Sequence, residues 1–255
     1  MTYKIIKNKN KSIFYEILHE LRCLVYFYLG ERPPKTVIKD QNQKDLHDKL
    51  ILLAKKDRKL FGRFFDASQC IPSLHSLSHF SKKFVKNYKN IQIAQWPKLR
   101  LDLPEKKQVH NDPWHQEGWF YDSPRDSLVL WFPLVEMDKS LGRLAMKRNS
   151  NKLNLLKYTV TKKRPYMKLF KSPKWTKLKT VTPKVNFGDC LLFNYAVLHK
   201  SSKNISNKVR ISIQVRFNFL DNKLYNFNNY RITTPKFVSR HQEGDDFEKN
   251  RFFKF

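Results

Sequence analysis

The chain from about residue 91 onward consists of short apolar runs that are rich in β-branched and aromatic residues. The runs are bounded by Pro, Gly, Asp and Asn, which is the pattern of β-strands separated by turns. Several such strands in one domain predict two antiparallel sheets arranged as a barrel or jelly roll. The runs are QIAQWPKLRLDLP, SLVLWFPLVEM, GRLAMK, KVNFGDCLLFNYAVL and VRISIQVRFNFL.

Residues 12–87 have a helical pattern instead. FYEILHELRCLVYFYL carries apolar residues at spacings of three and four, and Gly30 and Pro33 follow it as stop signals. DLHDKLILLAKKDRKLFGRFF and SLHSLSHFSKKFVKNY predict two further amphipathic helices. The predicted fold class is therefore α+β: a double-stranded β-helix, which is a jelly-roll or cupin-like barrel, with N-terminal helices packed on one sheet.

The length of 255 residues fits one domain with a sizeable core. We expect a single domain over 1–255, with a helical part at 1–90 and a jelly-roll core at 91–220. The core contains a basic insertion at 139–184, and a C-terminal tail follows at 221–255.

Cysteine usage and hydropathy bear on the compartment. The three cysteines, Cys23, Cys70 and Cys190, form no C-x-x-C pair, which argues against a disulfide framework and a structural zinc site. A cytoplasmic protein is the expectation. No stretch approaches the roughly 20 uncharged apolar residues of a membrane helix, so no membrane span is predicted.

The net charge of +29 is extreme. It is compatible with an anionic small molecule or a nucleic acid as partner, and equally with compositional drift towards Lys, Asn, Ile and Phe. The insertion at 139–184 holds fifteen basic residues and no Asp or Glu. It is predicted to be either a lid that grips anions or a solvated surface segment.

The run QVHNDPWHQEGWFYD, residues 108–122, contains the most specific motif of the chain. His115 and Glu117 are two residues apart, so on a strand they would point to the same face and could bind one ion. His110 and Asp112 are a competing pair with the same spacing. Pro113 and the polar residues before the pair favour a loop there, so we prefer His115 and Glu117.

The run FGDCLLFNYAVLHKSSKNISNKVR supplies the remaining candidates. His199 follows an apolar strand, and Arg210 opens a strand in which Arg210, Ser212, Gln214 and Arg216 share one face. An inward arginine in an apolar barrel needs an anion, and the far carboxylate of 2-oxoglutarate would provide it. Two His and one carboxylate on a β-scaffold form the facial triad of non-haem Fe(II) oxygenases.

Two stretches, WHQEGWFYDSPRDSLVLWFPLVEMDKSLGRL and NFGDCLLFNYAVLHKSSKNISNKVRISIQVRF, resemble the phytanoyl-CoA dioxygenase family of Fe(II)/2-oxoglutarate oxygenases. The resemblance implies that the metal ligands are His115, Glu117 and His199. It also implies that 2-oxoglutarate is bound by Arg210, Ser201 and Trp131. The family usually has Asp where this chain has Glu117, and GRLAMKRNSNK lacks the usual P-G-S-H after its strand.

The resemblance implies an enzyme that uses Fe(II), 2-oxoglutarate and O2 to hydroxylate a small-molecule, lipid or glycan-type substrate, with release of succinate and CO2. No catalytic group beyond the metal ligands is expected. Gln116, Trp119 and Tyr121 are weaker candidates for the substrate wall. Two alternatives stay open: a nucleic-acid repair oxygenase similar to the AlkB demethylases, based on the Arg210-x5-Arg216 spacing, and a catalytically silent jelly-roll binding protein.

Overall fold

The computed structural model describes residues 2–40, 42–104, 113–119, 127–160 and 167–219. Four of the described helices come before residue 91, and a short fifth one lies among the strands that follow in sequence. The helices are α1 (Ser12–Leu29), α2 (Lys44–Lys56), α3 (Arg58–Ser68), α4 (Pro72–Ser81) and α5 (Pro173–Thr176). None of the described helices combines the length and apolarity needed to span a bilayer.

The described strands form two facing antiparallel sheets and one small hairpin. The larger sheet has the order β1-β8-β3-β10-β2, the smaller sheet has the order β7-β4-β9, and β5 pairs with β6. The strands are β1 (Lys4–Ile6), β2 (Ile91–Asp102), β3 (Leu128–Pro133), β4 (Leu144–Lys147), β5 (Tyr158–Val160), β6 (Met167–Leu169), β7 (Thr180–Val181), β8 (Cys190–Asn194), β9 (His199–Ser201) and β10 (Arg210–Phe219).

The core lies between the helices and the larger sheet. On α1, Phe14 packs against Phe132 of β3, with ring centroids 5.4 Å apart. Ile213 is the register partner of Phe132, so the odd-numbered side chains of β10 face the helices. The even-numbered ones then face the smaller sheet. Every residue of β10 is buried, because helices cover one face of the strand and the barrel encloses the other.

The predicted α+β jelly roll is confirmed, but several local boundaries differ. The run 45–65 is two helices rather than one. Asp57 has an extended backbone, with φ −153° and ψ 110°, and its carboxylate accepts a hydrogen bond from Leu60 N. It therefore acts as the N-cap of α3. Helical spacing alone did not reveal this break.

The N-terminus also differs from its helical prediction, because β1 pairs with β8 at the edge of the larger sheet. The strand predicted over 190–198 ends at Asn194, where Val197 N donates to Asn194 O at 3.1 Å. His199 then begins β9, which belongs to the other sheet. This crossing places His199 inside the barrel.

The basic insertion 139–184 contributes β4 and β7 to the smaller sheet, and its part around α5 packs on the outer face of that sheet. Lys147 donates to the carbonyls of Thr176 and Leu178, at 3.2 and 2.9 Å, and lies 5.3 Å from the ring centre of Trp114. Lys200 lies over the same ring at 5.1 Å. Trp114 and Lys200 are next to His115 and His199 in sequence, so they occupy the face opposite the imidazoles.

His47 fixes the start of β10. The residue is 3% exposed, and its Nδ1 accepts a hydrogen bond from Val209 N at 3.2 Å. Burial, with a smaller contribution from Lys208, lowers the pKa of His47 to about 4. The buried imidazole is therefore neutral at pH 7. It anchors the backbone immediately before Arg210.

We expect this histidine to make folding sensitive to acid. Below the ordinary pKa of 6.5 the unfolded chain binds a proton that the folded chain does not bind until about pH 4. The free energy of unfolding should fall in that window by up to about 3 kcal/mol. His47→Asn keeps an acceptor for Val209 N and should flatten the decline in urea unfolding. His79→Asn at an exposed site is the control, and parallel curves for wild type and His47→Asn would contradict the assignment.

Candidate active site

Two histidines on neighbouring chain segments are paired by their backbones. His115 N donates to His199 O at 3.0 Å and His199 N donates to His115 O at 3.0 Å, which adds one antiparallel bridge to the smaller sheet. Paired residues in such a bridge project their side chains to the same face. The ring centroids are consequently 4.3 Å apart.

Both imidazoles are oriented by their own chain. His115 Nδ1 lies 2.8 Å from the carbonyl oxygen of Pro113, and His199 Nδ1 lies 3.0 Å from that of Val197. A carbonyl can only accept, so Nδ1 carries the proton and the lone pair is on Nε2. Metal-binding histidines commonly have this second contact, which fixes the tautomer and the ring orientation.

Glu117 completes a cluster of three metal-binding side chains. Its Oε1 lies 3.5 Å from His199 Nε2 and 3.9 Å from His115 Nε2. The three ligand atoms are all within 4.8 Å of one another. His199 Nε2 is buried and has no hydrogen-bond partner, which is costly for a polar atom unless something else binds it. Two neutral imidazoles, one carboxylate and this buried lone pair fit a divalent transition metal.

The local chain at Glu117 differs from the predicted strand. Glu117 begins a short 3-10 turn, residues 117–119, and only His115 is in a bridge. Gln116 stabilises this turn: its amide nitrogen donates to Ala196 O at 2.7 Å, and its amide oxygen accepts from Leu156 N at 2.8 Å. Gln116 is fully buried, so its contacts with the backbone are those of a residue that shapes the ligand segment.

Arg216 is the main electrostatic partner of Glu117. Its Nε lies 2.9 Å from Glu117 Oε2, and both side chains are almost completely buried. Burial by itself raises the pKa of Glu117, but the guanidinium of Arg216, the largest opposing effect, holds the pKa well below its usual range. Glu117 is therefore an ionised carboxylate, which is the form that binds metal.

Arg210 is also inside the barrel, and its guanidinium has several partners. Its Nε and Nη2 lie 3.0 and 2.9 Å from Asp102 Oδ2, on the neighbouring strand β2. Nη1 donates to Ser202 O at 2.8 Å and to the carbonyl of Gly142. Gly142 has φ +80°, and a Cβ there would clash with the carbonyls of Ser202 and Lys203. Glycine is thus needed for the loop to approach this closely.

Asp102 is shared between two arginines. Arg100 Nη2 lies 3.4 Å from Asp102 Oδ1. Asp102 therefore links the guanidinium groups of Arg100 and Arg210.

The two other predicted co-substrate residues are buried in the same barrel. Ser201 is two residues after His199 on β9, so its side chain is on the face that carries the imidazole. Trp131 on β3 is the register partner of Gln214 and faces the interior with it. All three predicted co-substrate residues, Ser201, Trp131 and Arg210, thus face the interior of the barrel.

Part of the prediction lies outside the described residues. This applies to the competing pair His110 and Asp112, to Tyr121 and to the side chain of Trp119. Sequence reasoning missed the roles of Asp102 and Arg216. Alternation along β10 indicated that Arg216 could face inward, but its contact with Glu117 depends on how the 3-10 turn meets the larger sheet.

Two sheets that enclose two imidazoles and one carboxylate define a class of protein, the cupin-type barrels with a mononuclear metal site. The chain belongs to the phytanoyl-CoA dioxygenase family, because the sequence model of that family matches residues 17–212. This match confirms the resemblance, the class of enzyme as a 2-oxoglutarate-dependent oxygenase, and the cofactor set of iron, 2-oxoglutarate and O2.

Solved structures show the same fold at low sequence identity. The epimerase SnoN, crystallised with Fe3+, alpha ketoglutarate and nogalamycin RO, is 14% identical, covers 86% of this chain and 79% of its own, and has a TM-score of 0.51. EctD from S. alaskensis in its apoform is 15% identical over 95% of this chain and 81% of its own, with a TM-score of 0.50. No curated protein sequence matches the chain significantly.

We expect a divalent metal to stabilise the folded chain through this cluster. Mn(II) at one hundred times its dissociation constant should add about 2.7 kcal/mol to the free energy of unfolding, and a chelator should reverse the effect. His199→Ala should abolish the gain, since one of three ligands is lost. His75→Ala, at a histidine of the helical layer, is the matched control. Equal metal stabilisation of wild type and His199→Ala would contradict the site.

Proposed function

We propose that the chain is an Fe(II)/2-oxoglutarate-dependent dioxygenase that hydroxylates a small-molecule substrate of the lipid or glycan type. The observation that carries the proposal is the cluster of His115, Glu117 and His199. The ligand atoms of these three side chains converge inside the barrel. One of them, His199 Nε2, is buried and has no hydrogen-bond partner. When bound, iron, 2-oxoglutarate and O2 supply the oxidant, and succinate and CO2 are the expected co-products.

The three ligand side chains would hold the metal on one face. His115 and His199 present their Nε2 atoms because the Pro113 and Val197 carbonyls occupy the opposite ring nitrogens. Glu117 presents Oε1, because Arg216 contacts its other oxygen. Three ligands on one face leave positions for the co-substrate and for O2, as in other facial-triad oxygenases.

Arg210 would anchor the far carboxylate of 2-oxoglutarate, with Ser201 and Trp131 beside it. The inward, buried position of Arg210 supports this assignment, because a buried guanidinium pairs best with a carboxylate. Asp102 and the Gly142 and Ser202 carbonyls hold Arg210 in place before the co-substrate arrives. The co-substrate would therefore meet a preorganised cation.

The inward-facing side chains of Lys98 and Arg100 on β2 favour a substrate with an anionic group. On β2, polar side chains alternate with Leu99 and Leu101, and they face the same interior as Arg210; they are Lys98, Arg100 and Asp102.

The cysteines are all free, which supports a reducing compartment, and we place the protein in the cytoplasm. The family match favours a small-molecule substrate over nucleic-acid repair, and Arg216, whose spacing from Arg210 suggested repair, contacts Glu117.

The test of the proposed function is an anaerobic titration of the chain with Fe(II) and 2-oxoglutarate, followed by a succinate assay in air with pooled metabolites. Stoichiometric binding of both and succinate formation that depends on one metabolite fraction are expected. If the chain binds neither metal nor 2-oxoglutarate, the proposal is wrong and the chain is a catalytically silent jelly-roll binding protein.

Arg210→Met should weaken 2-oxoglutarate binding to the Mn(II)-loaded protein by about tenfold or more, because a charged hydrogen-bond donor is lost. Mn(II) affinity itself should not change, since Arg210 contacts no ligand side chain in the described structure. Calorimetry measures both constants. Arg143→Met, at a half-buried arginine beside Gly142, is the control. Unchanged 2-oxoglutarate affinity in Arg210→Met would remove Arg210 from the co-substrate site.

A further inference from the structure

The two oxygens of Glu117 have different partners. Oε1 faces the imidazoles, 3.5 Å from His199 Nε2 and 3.9 Å from His115 Nε2. Oε2 lies 2.9 Å from Arg216 Nε, on the opposite side of the carboxylate. The exposed fractions of the Arg216 and Glu117 side chains are 6% and 3%, so water does not compete for this contact.

Arg216 is itself held in position. Its Nη2 donates to Gln214 Oε1, and Gln214 is two residues earlier on the same face of β10. β10 lies between β3 and β2 in the larger sheet and is paired on both sides. The guanidinium therefore extends from a strand held on two sides, while Glu117 comes from the short 3-10 turn 117–119.

We propose that Arg216 is a positioning residue that keeps Glu117 a one-oxygen ligand. By occupying Oε2, it leaves only Oε1 to bind the metal. This inference rests on the proposed function, because it matters only when metal and 2-oxoglutarate share the site.

The reason lies in the number of open coordination positions. A facial triad is useful because three positions remain after the protein ligands, and 2-oxoglutarate takes two of them through two oxygens. A glutamate that chelated through both oxygens would remove one of these positions. Glutamate carboxylates chelate ions through two oxygens in other sites, so a long, unrestrained arm is prone to it.

The longer arm of glutamate fits this arrangement. The Glu117 carboxylate contacts His199 on the smaller sheet through one oxygen and Arg216 on the larger sheet through the other, so its side chain must reach between the two sheets. Breaking a buried ion pair from one side leaves an uncompensated charge, so Glu117 without Arg216 would turn to the metal with both oxygens. Besides stabilising the fold, the ion pair thus determines how many oxygens Glu117 offers to the metal.

The test measures two affinities of Arg216→Met by anaerobic calorimetry: Mn(II) for the metal-free chain, and 2-oxoglutarate for the Mn(II)-loaded chain. Mn(II) should bind as tightly as in wild type or more tightly, since Glu117 gains a second contact with the ion. 2-Oxoglutarate should bind about tenfold more weakly, because its two oxygens must then occupy both remaining positions or displace the second oxygen of Glu117. Arg216→Lys keeps the charge without the fork and should be intermediate.

Arg22→Met is the matched control for loss of a buried arginine. Arg22 is 1% exposed and pairs with Asp45 in the helical layer. This variant should lower the melting temperature and leave both affinities unchanged.

Three outcomes would overturn the inference. The first is an unchanged 2-oxoglutarate affinity in Arg216→Met, and the second is a parallel loss of Mn(II) and 2-oxoglutarate affinity in that variant. If Arg216→Met does not fold, the third outcome applies: Arg216→Lys has the same two affinities as wild type. Failure of the proposed function looks different, because wild type itself would then bind neither ligand.

Discussion

The reciprocal backbone hydrogen bonds between His115 and His199 are the constraint on which the site depends. They bring together two segments more than eighty residues apart in sequence and place both side chains on the interior face. A shift of one residue in this pairing would move an imidazole to the outer face, where Trp114 and Lys200 now lie. The metal-binding geometry is thus a property of strand register before it is a property of the side chains.

Two buried ion pairs then tie β10 to the rest of the barrel. Arg216 contacts Glu117 at the start of the 3-10 turn, and Arg210 contacts Asp102 on β2. Buried charges are expensive to desolvate, and each of these is compensated by a partner and by further hydrogen bonds. Arg210 also bonds to the carbonyls of Gly142 and Ser202, which flank the smaller sheet. The polar interior of β10 therefore links the two sheets, while its apolar face packs on the helices.

The sequence predicted helices and strands whose apolar residues recur at helical or strand spacing. It missed the elements that are defined by contacts with distant parts of the chain. The apolar runs predicted β2, β3, β4, β8 and β10, and the helical spacing predicted α1. The edge strand β1 was missed because three residues carry too little pattern, and its place in the sheet depends on pairing with β8. The break at Asp57 was missed because an N-cap within an amphipathic run leaves the apolar stripe almost unchanged.

By itself, the sequence predicted the candidate ligand types, their spacing and the inward position of Arg210. These follow from residue identity and from the alternation of side chains along a strand, both of which are local. Only the tertiary structure decided that His199 crosses to the smaller sheet, that Glu117 divides its oxygens between the histidines and Arg216, and that Asp102 already pairs with Arg210. Those contacts join residues about eighty to one hundred positions apart, and their geometry is set by how the two sheets face each other.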